Sequence, residues 1–316
     1  MSCVGKDADF LCYYLICIQN CDVCFCEVVF LNWKVRLSLA AAHAIKPGLR
    51  ANTLASVMIF ILRAIGPRRS VAEKNIELVF PGIAREERDR IVRESYENMV
   101  WTGIELLALH SCPDELDRWV ETVEGEEHLE RALESGRGVI GVSAHMGNWE
   151  LGGAWFGHHT DAAAIVRFAD SPYQREIIEE LRSVDNGLFI DKREPLMRAI
   201  SHLKKNGFLF LLSDQHGGGS GIDVPFMGQI TSTVTGAGVF AHLLKSVILP
   251  FYVVRIAPFR LKLVIEPPIE CERVRDRETF VRNATTKVNE ALERMIKTAP
   301  GQWLWQHRRF REAIDG

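Results

Sequence analysis

The rhythm of apolar positions changes partway along the chain. From Arg85 to His110 charge gathers at the start and apolar residues at the end, and Ile91, Met99, Ile104 and Leu107 recur at helical intervals. Leu129 and Leu133 mark a second helix, stopped by Gly136. Then Val139-Ile140-Gly141-Val142 forms a short continuous apolar run, the texture of a buried parallel strand. Ala162 to Phe168, Gly207 to Leu212 and Val247 to Ile256 repeat that texture. Helical stretches separate the runs: Asn148 to Phe156, Pro172 to Val184, Glu194 to Asn206 and Thr233 to Lys245. This alternation predicts an α/β domain with a largely parallel central sheet flanked by helices. A long helix from Arg277 to Lys297 and an aromatic-basic tail close the chain.

No Gly/Ser linker divides the body, so residues 81–316 read as one catalytic domain behind an N-terminal helical, membrane-associating segment, 36–80. The apolar run Leu54 to Leu62 is flanked by Arg50, Arg63, Arg68 and Arg69. It is shorter than the ~20 residues of a spanning helix. It suits an interfacial anchor, or one end of a tilted span reaching back towards Ala40. A buried core helix would show the same periodicity. Residues 1–35 stand apart as a poorly ordered extension, crowded with Cys3, Cys12, Cys17, Cys21, Cys24 and Cys26. Only Cys112 and Cys271 follow, which marks the body as reduced and not a disulfide scaffold. The Cys21-x-x-Cys24-x-Cys26 cluster has no second pair to complete a tetrahedral zinc site. Asp7 and Asp9 replace the basic start of a signal peptide. A net charge of −3 gives no basic surplus for nucleic acid.

Ligands of open α/β sheets collect beyond the carboxyl ends of the strands. Three of the apolar runs end in polar residues of catalytic type: one at Ser143-Ala-His145-Met-Gly147-Asn148-Trp149-Glu150, one at Arg167, one at Ser213-Asp214-Gln215-His216. Within a single helix His145 and Glu150 would lie about 140° apart and could not meet. With His145 on a loop and the helix beginning near Asn148, Glu150 reaches back to fix the imidazole and steady its charge. Gly147 permits the turn and a close approach of substrate. Three alternatives stay open on these residues alone. One is a buried histidine beside a helix-start glutamate. Another is a metal-dependent hydrolase using His145, His158, His159 and Asp214. The third is a lipid-binding protein without catalysis.

The longer string Gly-Val-Ser-Ala-His145-Met-Gly147-Asn148-Trp149-Glu150-Leu resembles the HxGNWEL signature of the late lipid A acyltransferases. The phosphatidylinositol mannoside acyltransferases look similar. Asn75-Ile-Glu-Leu-Val-Phe80-Pro81 resembles the family's NLxLxFP segment. Asp214-Gln215 with Val224-Pro-Phe-Met-Gly228 resembles its DQ…VPFFG segment, and Trp303-Leu-Trp-Gln-His307-Arg308-Arg309-Phe310 its YLWxHRRF ending. Together these cover roughly residues 68–311. The resemblance implies transfer of an acyl chain from an acyl carrier protein or coenzyme A thioester to a hydroxyl of a lipid A precursor or related glycolipid. It implies a membrane surface, at the cytoplasmic face of the inner membrane, and neither cofactor nor metal. His145 would be the general base and Glu150 its orienting acid. Backbone N–H groups or Arg167 would serve the oxyanion; the family's Asp-Asn-Pro turn after that arginine reads Asp170-Ser171-Pro172 here. Gly147, Asn148, Arg167, Asp214 and Gln215 would contact substrate, and His307, Arg308 and Arg309 would form a basic patch for phosphate or an acidic carrier. Gly217-Gly-Gly-Ser-Gly221 reads as a mobile or membrane-facing loop. It lacks the Lys-Ser/Thr of a P-loop.

Overall fold

Strand β2 (Val139–Ser143) is buried at every position, because it lies at the centre of a seven-stranded sheet of order β1-β9-β8-β2-β5-β3-β4. The computed structural model describes residues 44–183, 187–272 and 274–315; the cysteine-rich extension lies outside the described residues. The strands are β1 (Val120–Glu124), β2, β3 (Ala162–Val166), β4 (Leu188–Asp191), β5 (Phe208–Leu212), β8 (Val247–Ala257) and β9 (Arg260–Ile265). Every neighbouring pair is parallel except β8 and β9. A separate antiparallel hairpin joins β6 (Ile222–Phe226) to β7 (Gln229–Thr233).

The period-two alternation of strand side chains sends residues to opposite faces. In β5, Leu209 and Leu211 join one core and Phe208 the other. The second core holds α3 (Arg85–Ser111), α4 (Leu116–Trp119), α5 (Glu126–Glu134) and α6 (Trp149–His159), where Phe156 stacks on Phe208 at 4.2 Å. The first core takes α8 (Met197–Lys204), α9 (Gly236–Leu244), α10 (Arg277–Thr298) and the buried rings Trp303, Trp305 and Phe310. Helix α7 (Pro172–Leu181) and a short α11 (Arg311–Asp315) are also present.

The alternating pattern located four adjacent strands, β8, β2, β5 and β3. It missed β1, β4 and β9 and the hairpin. Edge strand β1 exposes Glu121, Thr122 and Glu124, and β4 spans only 4 residues, so neither carries a continuous apolar run. Pro225 likewise interrupts β6, whose ladder is a two-stranded edge where proline is tolerated.

Helix α1 (Leu49–Ile65) packs on α3 through the buried Ala51 and Ala55 and turns Leu49, Val57, Phe60, Ile61 and Ile65 outward. Helix α2 (Arg69–Val79) follows after a sharp bend and buries Ala72, Asn75 and Ile76 in the first core, so packing runs across residue 80. Among the described residues no single helix is long and apolar enough to cross a membrane. Taken together, α1 and α2 have the length and composition of a span, bent by 82° between them.

Candidate active site

Strands β2, β5 and β3 are hydrogen-bonded neighbours, so their carboxyl ends form one edge. The chain leaves β2 at Ser143 and turns through His145 to Asn148 before α6 begins at Trp149. Gly147 sits at φ +56°, and a Cβ there would fall 1.6 Å from the Val253 carbonyl oxygen, so the turn admits only glycine. Asn148 caps α6 by accepting from the Leu151 N–H at 3.0 Å and donates to Glu105 Oε2 at 2.7 Å.

The loop delivers His145 to Asp214, at the end of β5. His145 Nδ1 lies 2.7 Å from Asp214 Oδ1, while Oδ2 accepts from the His145 backbone N–H at 2.9 Å and from Trp303 Nε1 at 2.7 Å. Burial alone would raise the Asp214 pKa, but the His145 charge and these donors outweigh it and hold the acid down to about 2. An ionised Asp214 requires a proton on Nδ1, which leaves the lone pair of neutral His145 on Nε2. Gln215 Nε2 stands 3.3 Å from that nitrogen, within reach to donate to it. Burial disfavours the imidazolium; the Asp214 charge and hydrogen bond, with a smaller contribution from Glu150, overcome this and raise the His145 pKa.

Glu150 is not the hydrogen-bond partner of His145. Its carboxylate is gripped by Arg182, with Nη2 at 2.7 Å and Nε at 3.0 Å, and accepts from Trp149 Nε1 at 3.1 Å. Helix α6 carries Glu150 towards the end of α7, whereas Asp214 arrives from the adjacent strand at hydrogen-bonding distance from Nδ1. Trp149 meets the His145 ring edge-on at 5.2 Å between centroids. Beside Trp149, Glu150 and Arg182 a narrow slot enters the domain, walled by Gly153, Ala163, Phe189 and Phe210.

The other expected contacts divide. Gln215 faces the base nitrogen. Gly147 and Asn148 are buried and shape the loop from within, so neither presents a group to substrate. Arg167 is mostly exposed and pairs with Asp170 at 3.3 Å, a surface ion pair. The basic patch at the tail does not form. Arg309 is fully buried, donating to the Ser232 carbonyl at 2.6 Å and Thr233 Oγ1 at 2.7 Å with its cation 4.5 Å over the Phe226 ring. Burial lowers its pKa to about 10. Burial also lowers His307 to about 4, so its ring is neutral at physiological pH. Arg308 alone of the three points outward. The glycine-rich loop is pinned: Gly217 N–H donates to the Ser232 carbonyl at 3.0 Å, and His216 Nε2 pairs with Glu312 at 2.6 Å.

The profile of the family described as bacterial lipid A biosynthesis acyltransferase matches residues 28–312. The chain belongs to that family. It is 28% identical over 259 residues to the lipid A biosynthesis lauroyltransferase of Escherichia coli (strain K12), covering 81% of this chain and 83% of that protein. With the lipid A biosynthesis palmitoleoyltransferase of the same organism the identity is 31% over 251 residues, 77% of this chain and 79% of that protein. A phosphatidylinositol mannoside acyltransferase of Mycobacterium tuberculosis (strain CDC 1551 / Oshkosh) shares 29% over 141 residues, 43% of this chain and 44% of that protein. The protein is an O-acyltransferase, and the family transfers acyl groups to glycolipids.

Within the site, the residues that the sequence did not reveal are the ones that hold others. Trp303 was legible only as part of the ending motif; its donor to Asp214 joins two motifs far apart in the chain. Arg182 and Glu105 carried no local signal at all, since each meets its partner only in three dimensions. The metal-hydrolase grouping does not assemble among the described residues: His159 pairs with Asp117 at 2.9 Å and stacks on Trp155, and no three His, Cys, Asp or Glu side chains gather to hold an ion.

Proposed function

We propose that the protein transfers a fatty acyl chain from a carrier-protein or coenzyme A thioester to a hydroxyl of a lipid A precursor, with His145 as general base. The hydrogen-bonded His145–Asp214 pair, its Nε2 turned away from the carboxylate, carries this reading. The acceptor hydroxyl takes the place of the Gln215 amide at Nε2 and gives up its proton there. Its oxygen attacks the thioester carbonyl, the oxyanion collapses to the ester, and the expelled thiolate recovers the proton from the imidazolium. Asp214 stays ionised throughout and steadies the imidazolium, the division of labour seen wherever a buried acid supports a catalytic histidine. The positive end of α6 begins beside the ring and favours the oxyanion.

The slot between α6 and strands β3 and β5 is the place for the acyl chain, because it is apolar and opens beside Trp149. The exposed apolar face of α1, with Arg63, Arg68 and Arg69 alongside, suits seating on an anionic membrane surface, here the cytoplasmic face of the inner membrane. Arg308 is the exposed cation suited to a lipid phosphate.

Mass spectrometry of glycolipids from a strain lacking the gene, complemented with wild type or His145→Ala, tests this. Lipid A short of one acyl chain, restored by wild type alone, is expected. Lipid A unchanged in every strain would defeat the acceptor assignment and point to a phosphatidylinositol mannoside or another glycolipid.

A further inference from the structure

An ion pair is buried beneath the His145 loop. Arg255 enters the core from β8, and its Nη2 and Nε lie 2.8 Å and 3.0 Å from Glu105 on α3. The Glu105 side chain is 0% exposed and that of Arg255 7%. Such a pair contributes little to stability, because desolvating two charges offsets most of their attraction, and an apolar pair of similar volume would serve as well. Its hydrogen bonds account for it better.

One contact of this cluster lies elsewhere, since Glu105 Oε1 also accepts from the Phe259 backbone N–H at 2.9 Å; the others lead to the loop. Glu105 accepts from the Asn148 side chain at 2.7 Å. Arg255 Nη1 bonds the Asn98 side-chain oxygen, and Nη2 reaches Thr102 Oγ1 at 3.3 Å. Asn98 Nδ2 and Thr102 Oγ1 both donate to the Gly147 carbonyl at 2.9 Å. The Gly147 N–H donates to the Gln302 carbonyl at 3.0 Å, and Gln302 in turn exchanges two hydrogen bonds with the Arg255 backbone, at 2.8 and 2.9 Å. Both backbone groups of Gly147 and the side chain of Asn148 are therefore fixed from below. Two residues earlier, the His145 backbone N–H and ring together fit one Asp214 carboxylate, so a shift of the loop would break both contacts at once.

We propose that the Glu105–Arg255 pair, acting through Asn98, Thr102 and Asn148, is a positioning device that sets His145 against Asp214. None of these residues touches substrate: Glu105, Asn98 and Thr102 are buried away from the cleft. The proposal rests on His145 being the base.

Steady-state kinetics of purified Thr102→Val, Glu105→Gln, Arg255→Met and Arg255→Lys test it, with His145→Ala as control. A misplacement on the order of 1 Å costs up to about 100-fold in rate, so Thr102→Val and Glu105→Gln should lower kcat about 10- to 100-fold. KM for both substrates should stay within about two-fold, because no ground-state contact is lost. The ascending limb of the kcat–pH profile should move to lower pH as His145 loses Asp214, with Glu150 and His307 the remaining titratable groups near the ring. Arg255→Lys should recover part of the Arg255→Met loss. Variants that only melt earlier, with kcat and pH limb as in wild type, overturn the proposal. Thr102→Val keeps both charges and the volume, and decides the matter if Arg255→Met does not fold. Turnover retained by His145→Ala would instead overturn the assignment of the base.

Discussion

The Trp303 indole N–H reaches Asp214 Oδ2 at 2.7 Å, so the carboxylate that holds His145 is itself held by the carboxyl-terminal motif. Motifs from β2, β5 and the tail thus meet on one buried acid. Each of its oxygens is committed, which keeps the acid ionised in a place where burial alone would neutralise it.

Asp214→Asn follows directly. The neutral amide removes the main charge that raises the His145 pKa and leaves only the smaller pull of Glu150 against burial, so the histidine becomes easier to deprotonate. In wild type the base is active above its raised pKa, which lies above 6.5; the ascending limb of kcat against pH should therefore lie on the alkaline side of that value. In Asp214→Asn the limb should move to lower pH, while kcat falls about 10²- to 10⁴-fold. A limb that stays in place would show that Asp214 does not set the histidine.

Trp303→Phe removes one donor and keeps an aromatic ring. At neutral pH we expect a loss of about 1.5–3 kcal/mol, the range for a hydrogen bond to a charged group. The pH dependence has a definite sign. Asp214 has a folded-state pKa of about 2 against an ordinary 3.8, so its contribution is present above 3.8 and lost as pH falls towards 2. Without the indole the folded pKa rises, and the gap between variant and wild type should narrow through that window. A constant gap from pH 6 to 2.5 in thermal melts would remove the charge from the argument.

Much of this site was legible in the linear pattern, and the part that was not has a common cause. His145 was placed on a loop at the end of a buried strand because the apolar run before it and the cap at Asn148 are local signals. The choice of Glu150 over Asp214 came from the same locality. Spacing within five residues can be reasoned about, whereas Asp214 lies 69 positions away and meets His145 only because β2 and β5 pair in register. Arg308 and Arg309 look alike in sequence, yet the turns of the tail send one outward and one against the Phe226 ring. Strands β1 and β4 escaped notice because edge positions relax the demand for continuous apolar residues.

The tail arginines should separate cleanly. Arg309→Met removes the charged donor to the Ser232 carbonyl and to the Thr231 and Thr233 hydroxyls, and a hydrogen bond to a charged group is worth about 1.5–3 kcal/mol. Its melting temperature should fall with KM unchanged. Arg308→Ala should do the reverse, raising KM for a phosphorylated acceptor while stability stays within about 0.5 kcal/mol. A KM effect confined to Arg309→Met would reverse these roles.

Helix α1 can be tested without disturbing the fold. Phe60 and Ile65 are 74% and 71% exposed, so Phe60→Glu/Ile65→Glu should leave stability within about 0.5 kcal/mol per site. Co-sedimentation with vesicles containing anionic lipid should drop sharply, since apolar burial and attraction of the adjacent arginines act together at an interface. Undiminished sedimentation would take α1 out of the membrane contact.

Gly153 tests the acyl slot. It lies on α6 facing Phe210, and a Cβ there would sit 3.3 Å from the Phe210 ring, so alanine is nearly accommodated and a larger side chain must project into the slot. Replacing a helix-interior glycine also gains about 0.8–1 kcal/mol of helical propensity, which offsets some of the crowding. Gly153→Leu should therefore remain folded and narrow the space left for hydrocarbon. Its kcat/KM should fall for the longest acyl thioesters and hold for shorter ones, because a pocket contact is worth about 1–3 kcal/mol per methylene, or roughly 10- to 200-fold in selectivity. Thioesters of graded chain length supplied in competition give the ratio directly. Equal loss across all lengths would place the chain elsewhere, and an unchanged profile would mean that the slot stays closed in catalysis.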